Sequence, residues 1–162
     1  MVYFIVIRGP AGVGKSSVAE RLANILNGVH ISFDKIMKEN HLDTIVGDGI
    51  SAENFIKANE LVIPIAKKEL KNNKVVVFDG CFYRKEQLQH LEKELKYKHY
   101  VFSLGATLKD CIARNKTRKK SMSDAAIEEV FVLVYKISPG VIIPTSGKSI
   151  NEVAYEIKSL LI

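Results

Sequence analysis

The chain has 162 residues, which suffices for one domain with an ordinary core and leaves no room for a second catalytic domain. Its formal net charge of +6 favours anionic partners, although many lysines can simply be solvated surface. No apolar run approaches the roughly 18 residues that span a bilayer, and Cys81 and Cys111 form no Cys-x-x-Cys pair. We therefore expect a cytoplasmic protein with no membrane partner and no disulfide framework.

Strands alternate with helices along the whole chain. Continuous β-prone runs predict strands, and apolar residues at helical spacing predict helices, several of which begin at a capping Ser or Thr. This alternation is typical of βαβ units, whose parallel sheet is covered by helices on both faces. The predicted strands are 2–7, 29–33, 75–78, 100–104 and 141–143, and the main predicted helices are 15–26, 51–70, 84–95, one that begins after Thr107, 123–136 and one from 149 onward. Residues 34–49 are less regular.

The first strand and the first helix enclose a glycine-rich loop that matches G-x-x-x-x-G-K-[ST] without deviation. Glycines allow a tight turn, successive N–H groups then face one concavity, and the helix amino end adds positive potential. We expect Lys15 to bridge the β- and γ-phosphates of ATP and Ser16 to bind Mg²⁺. The predicted nucleotide-binding residues of this loop are Gly9, Pro10, Ala11, Gly12, Val13, Gly14, Lys15, Ser16 and Ser17.

Two aspartates stand at the carboxyl ends of neighbouring predicted strands. Asp34 follows the second strand and Asp79 follows the third, and ligands of open α/β sheets bind at this edge. A kinase needs one carboxylate near its metal and another that takes the proton of an acceptor hydroxyl. We assign the metal to Asp79 and the acceptor hydroxyl to Asp34. The alternatives are a helix N-cap for Asp34 and a plain turn residue for Asp79.

A basic segment separates two of the predicted helices. Arg114 and Arg118 are four residues apart and would share a helix face, and Lys116, Lys119 and Lys120 lie beside them. Such a segment, at about 115–123, predicts a lid whose arginines neutralise the transferring phosphoryl group and exclude water. The alternative is a solvated helix end whose cations suit the helix dipole.

These motifs together resemble the small P-loop kinases of the nucleoside-monophosphate-kinase fold, over most of the chain. Within that fold the chain is most similar to the branch of polynucleotide 5′-hydroxyl kinases, seryl-tRNA(Sec) kinases and zeta-toxin-like kinases. The resemblance implies an α/β three-layer P-loop NTPase sandwich over 1–162, with a five-stranded parallel sheet of order 2-3-1-4-5 and a short basic lid. It also implies that Arg114 and Arg118 contact ATP phosphates, that Asp34 is the catalytic base, and that Thr145–Gly147, with Thr145 and Gly147 as binding residues, borders adenine.

The predicted function is transfer of the γ-phosphoryl group of ATP, with Mg²⁺, to a hydroxyl of a small metabolite or of a nucleic acid end. The aromatic pair Phe82 and Tyr83 could stack a base, although core packing explains it equally well. The alternatives are a nucleoside monophosphate kinase, whose acceptor is a phosphate, and a non-catalytic ATP-binding regulatory protein. The acceptor, the base preference and the oligomeric state stay open.

Overall fold

A computed structural model describes all residues from Met1 to Ile162. Seven strands and seven helices follow one another along the chain. The strands are β1 (Tyr3–Arg8), β2 (Val29–Ser32), β3 (Ile45–Val46), β4 (Gly49–Ile50), β5 (Val76–Gly80), β6 (Lys98–Gly105) and β7 (Val141–Pro144). The helices are α1 (Lys15–Ile25), α2 (Phe33–Glu39), α3 (Ala52–Lys71), α4 (Lys85–Leu95), α5 (Leu108–Lys116), α6 (Asp124–Tyr135) and α7 (Ile150–Ser159).

Five of the strands form one parallel sheet in the order β2-β5-β1-β6-β7. Counted among themselves along the chain, these strands have the order 2-3-1-4-5, so the predicted topology is confirmed. β1 lies at the centre and pairs with β5 on one side and β6 on the other. Its carboxyl end, at which the glycine-rich loop begins, is therefore flanked by the ends of both neighbours.

The sheet separates two apolar layers, because successive side chains of a strand point to opposite faces. Phe4 and Val6 of β1 face a cluster built with α2, α3 and α4, whereas Ile5 and Ile7 face a cluster built with α1, α5 and α7. Each fully buried Phe or Leu contributes about 1.5–3 kcal/mol to folding. This arrangement is the three-layer sandwich that the sequence predicts.

Helix starts follow the predicted caps. The hydroxyls of Ser51, Thr107, Ser123 and Ser149 accept hydrogen bonds from backbone N–H groups of α3, α5, α6 and α7. At α7 the reciprocal bond from Glu152 completes a capping box. No helix combines the length with the apolar character that a membrane span requires.

The segment between β2 and α3 differs from the prediction. Residues 34–49, which we expected to be irregular, contain most of α2 and an antiparallel hairpin of β3 and β4. The hairpin strands have two residues each, and Ile45 and Val46 are exposed. Strands this short carry no detectable periodicity, which is why the sequence pattern did not reveal them.

Candidate functional site

The glycine-rich loop occupies the turn between β1 and α1. Gly12 has φ +83° and Gly14 has φ +94°, a region that residues with a side chain rarely enter. Gly14 is the N-cap residue of α1, and no side chain caps this helix. The first amides of α1 are therefore left free, which is the arrangement that binds anions at a helix amino end.

Gly12 also fixes the loop against α5. A Cβ atom at this position would lie 2.4 Å from the backbone oxygen of Cys111, so no other residue fits without movement of the backbone. The loop and the helix that carries Arg114 are thus in direct contact. This contact explains how the basic segment, a hundred residues away in sequence, reaches the loop.

A cavity of about 560 Å³ opens between the loop, the end of α5 and the start of α7. Its wall bears the cations Lys15, Arg114, Arg118 and Lys148, which suits a polyanionic ligand. The lining residues are Gly12, Val13, Gly14, Lys15, Ser16, Ser17, Val18, Arg114, Thr117, Arg118, Thr145, Lys148, Ser149, Ile150 and Val153. We call this cavity and its lining the nucleotide side.

Arg114 spans the nucleotide side. One of its Nη atoms donates to the backbone oxygen of Val13 at 3.1 Å and to the hydroxyl of Thr145 at 3.3 Å. Thr145 in turn donates to the backbone oxygen of Gly105 at 2.9 Å. The guanidinium therefore holds the glycine-rich loop to the segment between β7 and α7.

Arg118 lies beyond the end of α5, so the expectation that Arg114 and Arg118 share a helix face is wrong. α5 ends at Lys116, and the predicted lid begins there as a loop that runs through residues 117–123. Both arginines nevertheless line the same cavity, because the backbone N–H of Arg118 bonds to the oxygen of Asn115 and continues the turn. Lys119 and Lys120 are exposed and do not line it.

Asn115 closes the base of this loop. Its side-chain amide donates to the backbone oxygen of Met122 at 2.8 Å, and its side-chain oxygen accepts from the N–H of Met122 at 3.2 Å. The two bonds hold residues 116–121 as a closed loop on the rim of the cavity. We call residues 117–123 the lid loop, after the lid predicted at about 115–123.

Lys15 is buried and meets the carboxylate of Asp34. Its Nζ lies 3.3 Å from an oxygen of Asp34, whose side chain is 53% exposed. Burial alone would lower the pKa of Lys15, but the acidic groups of Asp34, Cys81 and Asp79 outweigh it and raise the pKa above its ordinary value. Lys15 is thus firmly protonated, as a phosphate-binding cation must be. Asp34 lies in the first turn of α2, whose N-cap is Ser32, so the N-cap alternative is wrong.

Asp79 is the last carboxylate before the end of β5, and it is fully buried. The hydroxyl of Ser16 donates to its Oδ1 at 2.8 Å, and Nε2 of His30 lies 2.5 Å from its Oδ2. Strand pairing sets this contact, because β2 lies beside β5 in the sheet. Asp79 is therefore not a plain turn residue.

The Ser16–Asp79 pair offers two oxygen atoms beside the glycine-rich loop. No group of three or more His, Cys, Asp or Glu side chains could hold a metal ion by itself. Two protein oxygens fit a cation such as Mg²⁺, which keeps several waters and takes its remaining ligands from phosphates. The residues thus fit a metal that enters together with a nucleotide.

The opposite flank of the sheet edge holds Asp34, Asp79, Cys81 and Arg84 together with the β3–β4 hairpin, and we call it the acceptor side. Arg84 donates to Asp48 at 2.6 Å and to the backbone oxygen of Ile50 at 3.0 Å, which ties the hairpin to the start of α4. Burial, followed by the nearby carboxylates, raises the pKa of the Cys81 thiol to about 11.

The aromatic residues of this flank do not form a stacking platform. Phe82 is 1% exposed and Tyr83 is 9% exposed, and both belong to the core cluster around α3 and α4. Phe82 has φ +47°, so the backbone turns sharply after Cys81 and directs the ring inward. The core alternative is therefore the correct one for this pair.

The structure also places the remaining predicted residues and adds others. Gly9, Pro10 and Ala11 are buried and shape the turn without lining the cavity, and Gly147 lies outside the lining as well. His30 was not predicted, because a single histidine in a strand has no ligand spacing, and the start of α7 was predicted as a helix start only. The additional lining residues are Val18, Thr117, Lys148, Ser149, Ile150 and Val153. The capping pattern at Ser149 indicated a helix start there, but not a cavity wall.

Comparisons with known proteins agree with this architecture. A family model described as AAA domain, AAA_33, matches residues 4–132, which is most of the chain. The adenylate kinases of Mycoplasma capricolum and Mycoplasma mycoides are 32% identical over 121 residues and 34% identical over 109 residues. These matches cover 68% and 60% of this chain. The chain spans only about half the length of these relatives, 56% and 50% respectively.

Solved structures show the same fold at low sequence identity. A sugar kinase from Janibacter sp. HTCC2649 superposes with a TM-score of 0.81 at 11% identity, covering 98% of this chain and 94% of its own. A gluconokinase from Sinorhizobium meliloti 1021 gives 0.66 at 16% identity, covering 94% and 87%. The tunicamycin resistance protein of Deinococcus radiodurans gives 0.69 at 19% identity, covering 98% and 95%. On the family match and this architecture, the chain belongs to the AAA_33 family of P-loop kinase-like proteins.

Proposed function

We propose that this protein is an ATP-dependent kinase that transfers the γ-phosphoryl group of ATP to a hydroxyl group. The observation that carries the proposal is the contact between Asp34 and Lys15. An exposed carboxylate stands 3.3 Å from the ammonium group that would bridge the β- and γ-phosphates. A base at that position can reach the acceptor hydroxyl while the phosphoryl group is held in line.

In this mechanism the free amides at the start of α1 and the side chain of Lys15 bind the phosphate chain. Arg114 and Arg118 approach the same phosphates from the side of the lid loop and neutralise the charge that develops on the γ-phosphoryl group. Asp34 accepts the proton of the acceptor hydroxyl, whose oxygen bonds to phosphorus as the bond to the bridging oxygen of ADP breaks. Gly9, Pro10 and Ala11 hold the turn, and the lid loop excludes competing water.

The base of the nucleotide is expected between the segment Thr145–Gly147 and the start of α7. Mg²⁺ would be held by Ser16 and, directly or through its water shell, by Asp79, and it supplies charge neutralisation on the phosphates. His30 holds the second oxygen of Asp79 and thereby fixes the direction of this carboxylate.

A small hydroxylated acceptor is better supported than a nucleic acid end. The burial of Phe82 and Tyr83 removes the stacking surface that favoured a nucleic acid. The one arginine of the acceptor side, Arg84, is already paired with Asp48, which leaves little positive charge for a phosphate. Two of the proteins with this fold are, by name, a sugar kinase and a gluconokinase.

A second candidate function is transfer to the phosphate of a nucleoside monophosphate. The observation that favours it is the sequence match to two adenylate kinases, at 32% and 34% identity. A phosphate acceptor is deprotonated at neutral pH and needs cations rather than a base. It would therefore require that Arg84 leave Asp48 and that Asp34 take no part in proton transfer.

The deciding experiment is incubation of the protein with γ-labelled ATP, Mg²⁺ and three separate acceptor pools. The pools are sugars and other polyols, nucleoside monophosphates, and 5′-hydroxyl oligonucleotides with tRNA. We expect label in the polyol pool, and none there with a Lys15→Ala variant. Label in the monophosphate pool alone supports the second candidate. Tight ATP binding with no labelled product in any pool supports the third alternative, a regulatory ATP-binding protein.

A further inference from the structure

Arg8 is a buried cation at the entrance to the glycine-rich loop. It is the last residue of β1, it directly precedes Gly9, and its side chain is fully buried. On the alternating pattern of β1 it follows Phe4 and Val6, so it points to the face that α3 and α4 cover. An ordinary core residue at this position would be apolar.

All partners of Arg8 except one belong to the end of α6 and the residues that follow it. One Nη donates to the backbone oxygen of Val134 at 2.5 Å, and the other donates to the oxygen of Ile137 at 3.1 Å and to the hydroxyl of Ser103 at 2.9 Å. The hydroxyl of Ser103 donates a hydrogen bond to the backbone oxygen of Pro139 at 2.8 Å. The guanidinium thus joins β1, β6 and the carboxyl end of α6.

No carboxylate neutralises this charge. Burial lowers the pKa of Arg8 to about 10, so the guanidinium is still protonated at neutral pH, and its Nε has no hydrogen-bond partner. What compensates the charge is the negative end of the α6 dipole, through its last carbonyl groups. A buried cation held in this way is costly to maintain and is poorly explained by stability alone.

α6 is the helix that begins where the lid loop ends. Ile127, near its start, belongs to the cluster around α1, whereas Leu133 and Val134, near its end, belong to the cluster around α3. The helix therefore crosses from one face of the sheet to the other, with the lid loop at its amino end and Arg8 at its carboxyl end. Its carboxyl end is also held by Tyr135, whose hydroxyl donates to the oxygen of Leu104 at 2.8 Å.

We propose that Arg8 is a positioning residue that fixes the carboxyl end of α6 to the strand leading into the glycine-rich loop, and so sets where Arg118 meets the bound nucleotide. The proposal rests on the ATP binding proposed above. Arg8 and Ser103 hold the carboxyl end of α6 and the residues after it through three hydrogen bonds. Because α6 and the lid loop are continuous, these bonds also fix the position of the lid loop at the amino end of the helix. Without Arg8, the position of Arg118 relative to the bound nucleotide is no longer fixed.

The test is a double-mutant cycle on ATP affinity, measured calorimetrically with Mg²⁺, between Arg8→Lys and Arg118→Ala. In the wild-type background we expect Arg118→Ala to weaken ATP binding about tenfold, and in the Arg8→Lys background only about threefold or less. Lysine retains the charge but lacks the planar fork that bonds two carbonyl groups at once. A purely structural Arg8 would leave the effect of Arg118→Ala unchanged in both backgrounds, and this additivity would overturn the proposal.

Leu95→Ala is the matched control, because it removes a buried side chain of α4, a helix that forms no hydrogen bond with α6 or the lid loop. In this background Arg118→Ala should retain its full effect. If Arg8→Lys does not fold, Ser103→Ala replaces it, since it removes one acceptor of Arg8 and the bond to Pro139. If Ser103→Ala and Arg118→Ala have additive effects on ATP affinity, the proposal is also overturned. A wild-type protein that does not bind ATP overturns the proposed function, and this inference with it, whereas bound ATP with additive effects overturns the inference alone.

Discussion

The nucleotide side and the acceptor side meet at one sheet edge but are built differently. Seven of the fifteen residues that line the nucleotide side are the contiguous residues 12–18, and its cavity is open, with free helix amides and Arg118 on the rim. On the acceptor side the charged groups already have partners within the protein: Asp34 is paired with Lys15, Arg84 is paired with Asp48, and Asp79 is hydrogen-bonded to His30. A ligand can enter the nucleotide side without any change in the protein. To bind on the acceptor side, it must replace contacts that the protein makes with itself. The nucleotide side therefore indicates its ligand class, and the acceptor side does not.

The largest effect is expected at the residue that the two sides share. Lys15→Ala removes the ammonium group from the phosphate site and leaves Asp34 without its cation. We expect kcat/KM to fall by about 10³-fold or more, because both ATP binding and transition-state stabilisation are lost. Steady-state kinetics with the acceptor pool that takes up label measures this effect, and circular dichroism checks that the variant is folded. A fall of less than tenfold would mean that the cavity does not hold the reacting phosphates.

Asp34→Asn distinguishes the contribution of the acceptor side to catalysis from that of the nucleotide side. Loss of the base should lower kcat on the order of 10²-fold, while the affinity for ATP stays within a few-fold of the wild type. Calorimetric titration with ATP and single-turnover kinetics measure the two quantities separately. If kcat hardly changes, Asp34 is not a base, and a phosphate acceptor becomes the better hypothesis. Lys35→Ala on the exposed surface of α2 serves as the control and should change neither quantity.

The close contact of Gly12 can be tested through stability. Gly12→Ala forces both a positive φ and a Cβ against the oxygen of Cys111, and we expect the free energy of unfolding to fall by about 3 kcal/mol or more. Gly47→Ala in the hairpin is the matched control, because its φ is +68° but nothing lies within 4 Å of the new Cβ. It should cost only about 1–2 kcal/mol. Urea unfolding measures both, and equal losses would show that the loop does not pack tightly on α5.

The smallest effect concerns the electrostatics of the acceptor side. Because burial and the nearby carboxylates raise the pKa of Cys81 from 9.0 to about 11, its thiolate fraction at pH 8 is roughly a hundredfold below that of an ordinary thiol. We expect alkylation of Cys81 to accelerate with pH up to about 11. Asp34→Asn should shift this profile to lower pH, since Asp34 is one of the groups that raise the pKa. An alkylation rate that stops rising near pH 9 contradicts the raised pKa of Cys81. The measurement is made on a Cys111→Ser variant, so that only Cys81 can react.

The sequence predicted much of the fold and the nucleotide side, and less of the acceptor side. Sequence periodicity and capping patterns predict the five parallel strands and the capped helix starts, the family resemblance implies the strand order, and the structure agrees with all three. A loop is present where the lid was predicted, but its role as a lid stays a prediction. Arg118 was expected on the helix and lies beyond its end, because helix ends depend on a few weak local bonds. The hairpin after α2 was not predicted, since strands of two residues leave no periodic pattern, and core packing of Phe82 was predicted only as an equal alternative to base stacking. The catalytic and metal roles of Asp34, Asp79 and Arg118 stay predictions.

The sequence by itself determined the features that depend on residues close together in the chain. The turn before α1 depends on glycines at fixed positions, and the layers of the sandwich depend on periodicities of two and 3.6 residues. Only the tertiary structure decided which polar groups meet across distance in sequence, such as His30 with Asp79, 49 residues apart, and Arg8 with Val134, 126 residues apart. Such pairs depend on the strand order and on where a helix ends against the sheet. No local pattern in the chain therefore predicts them.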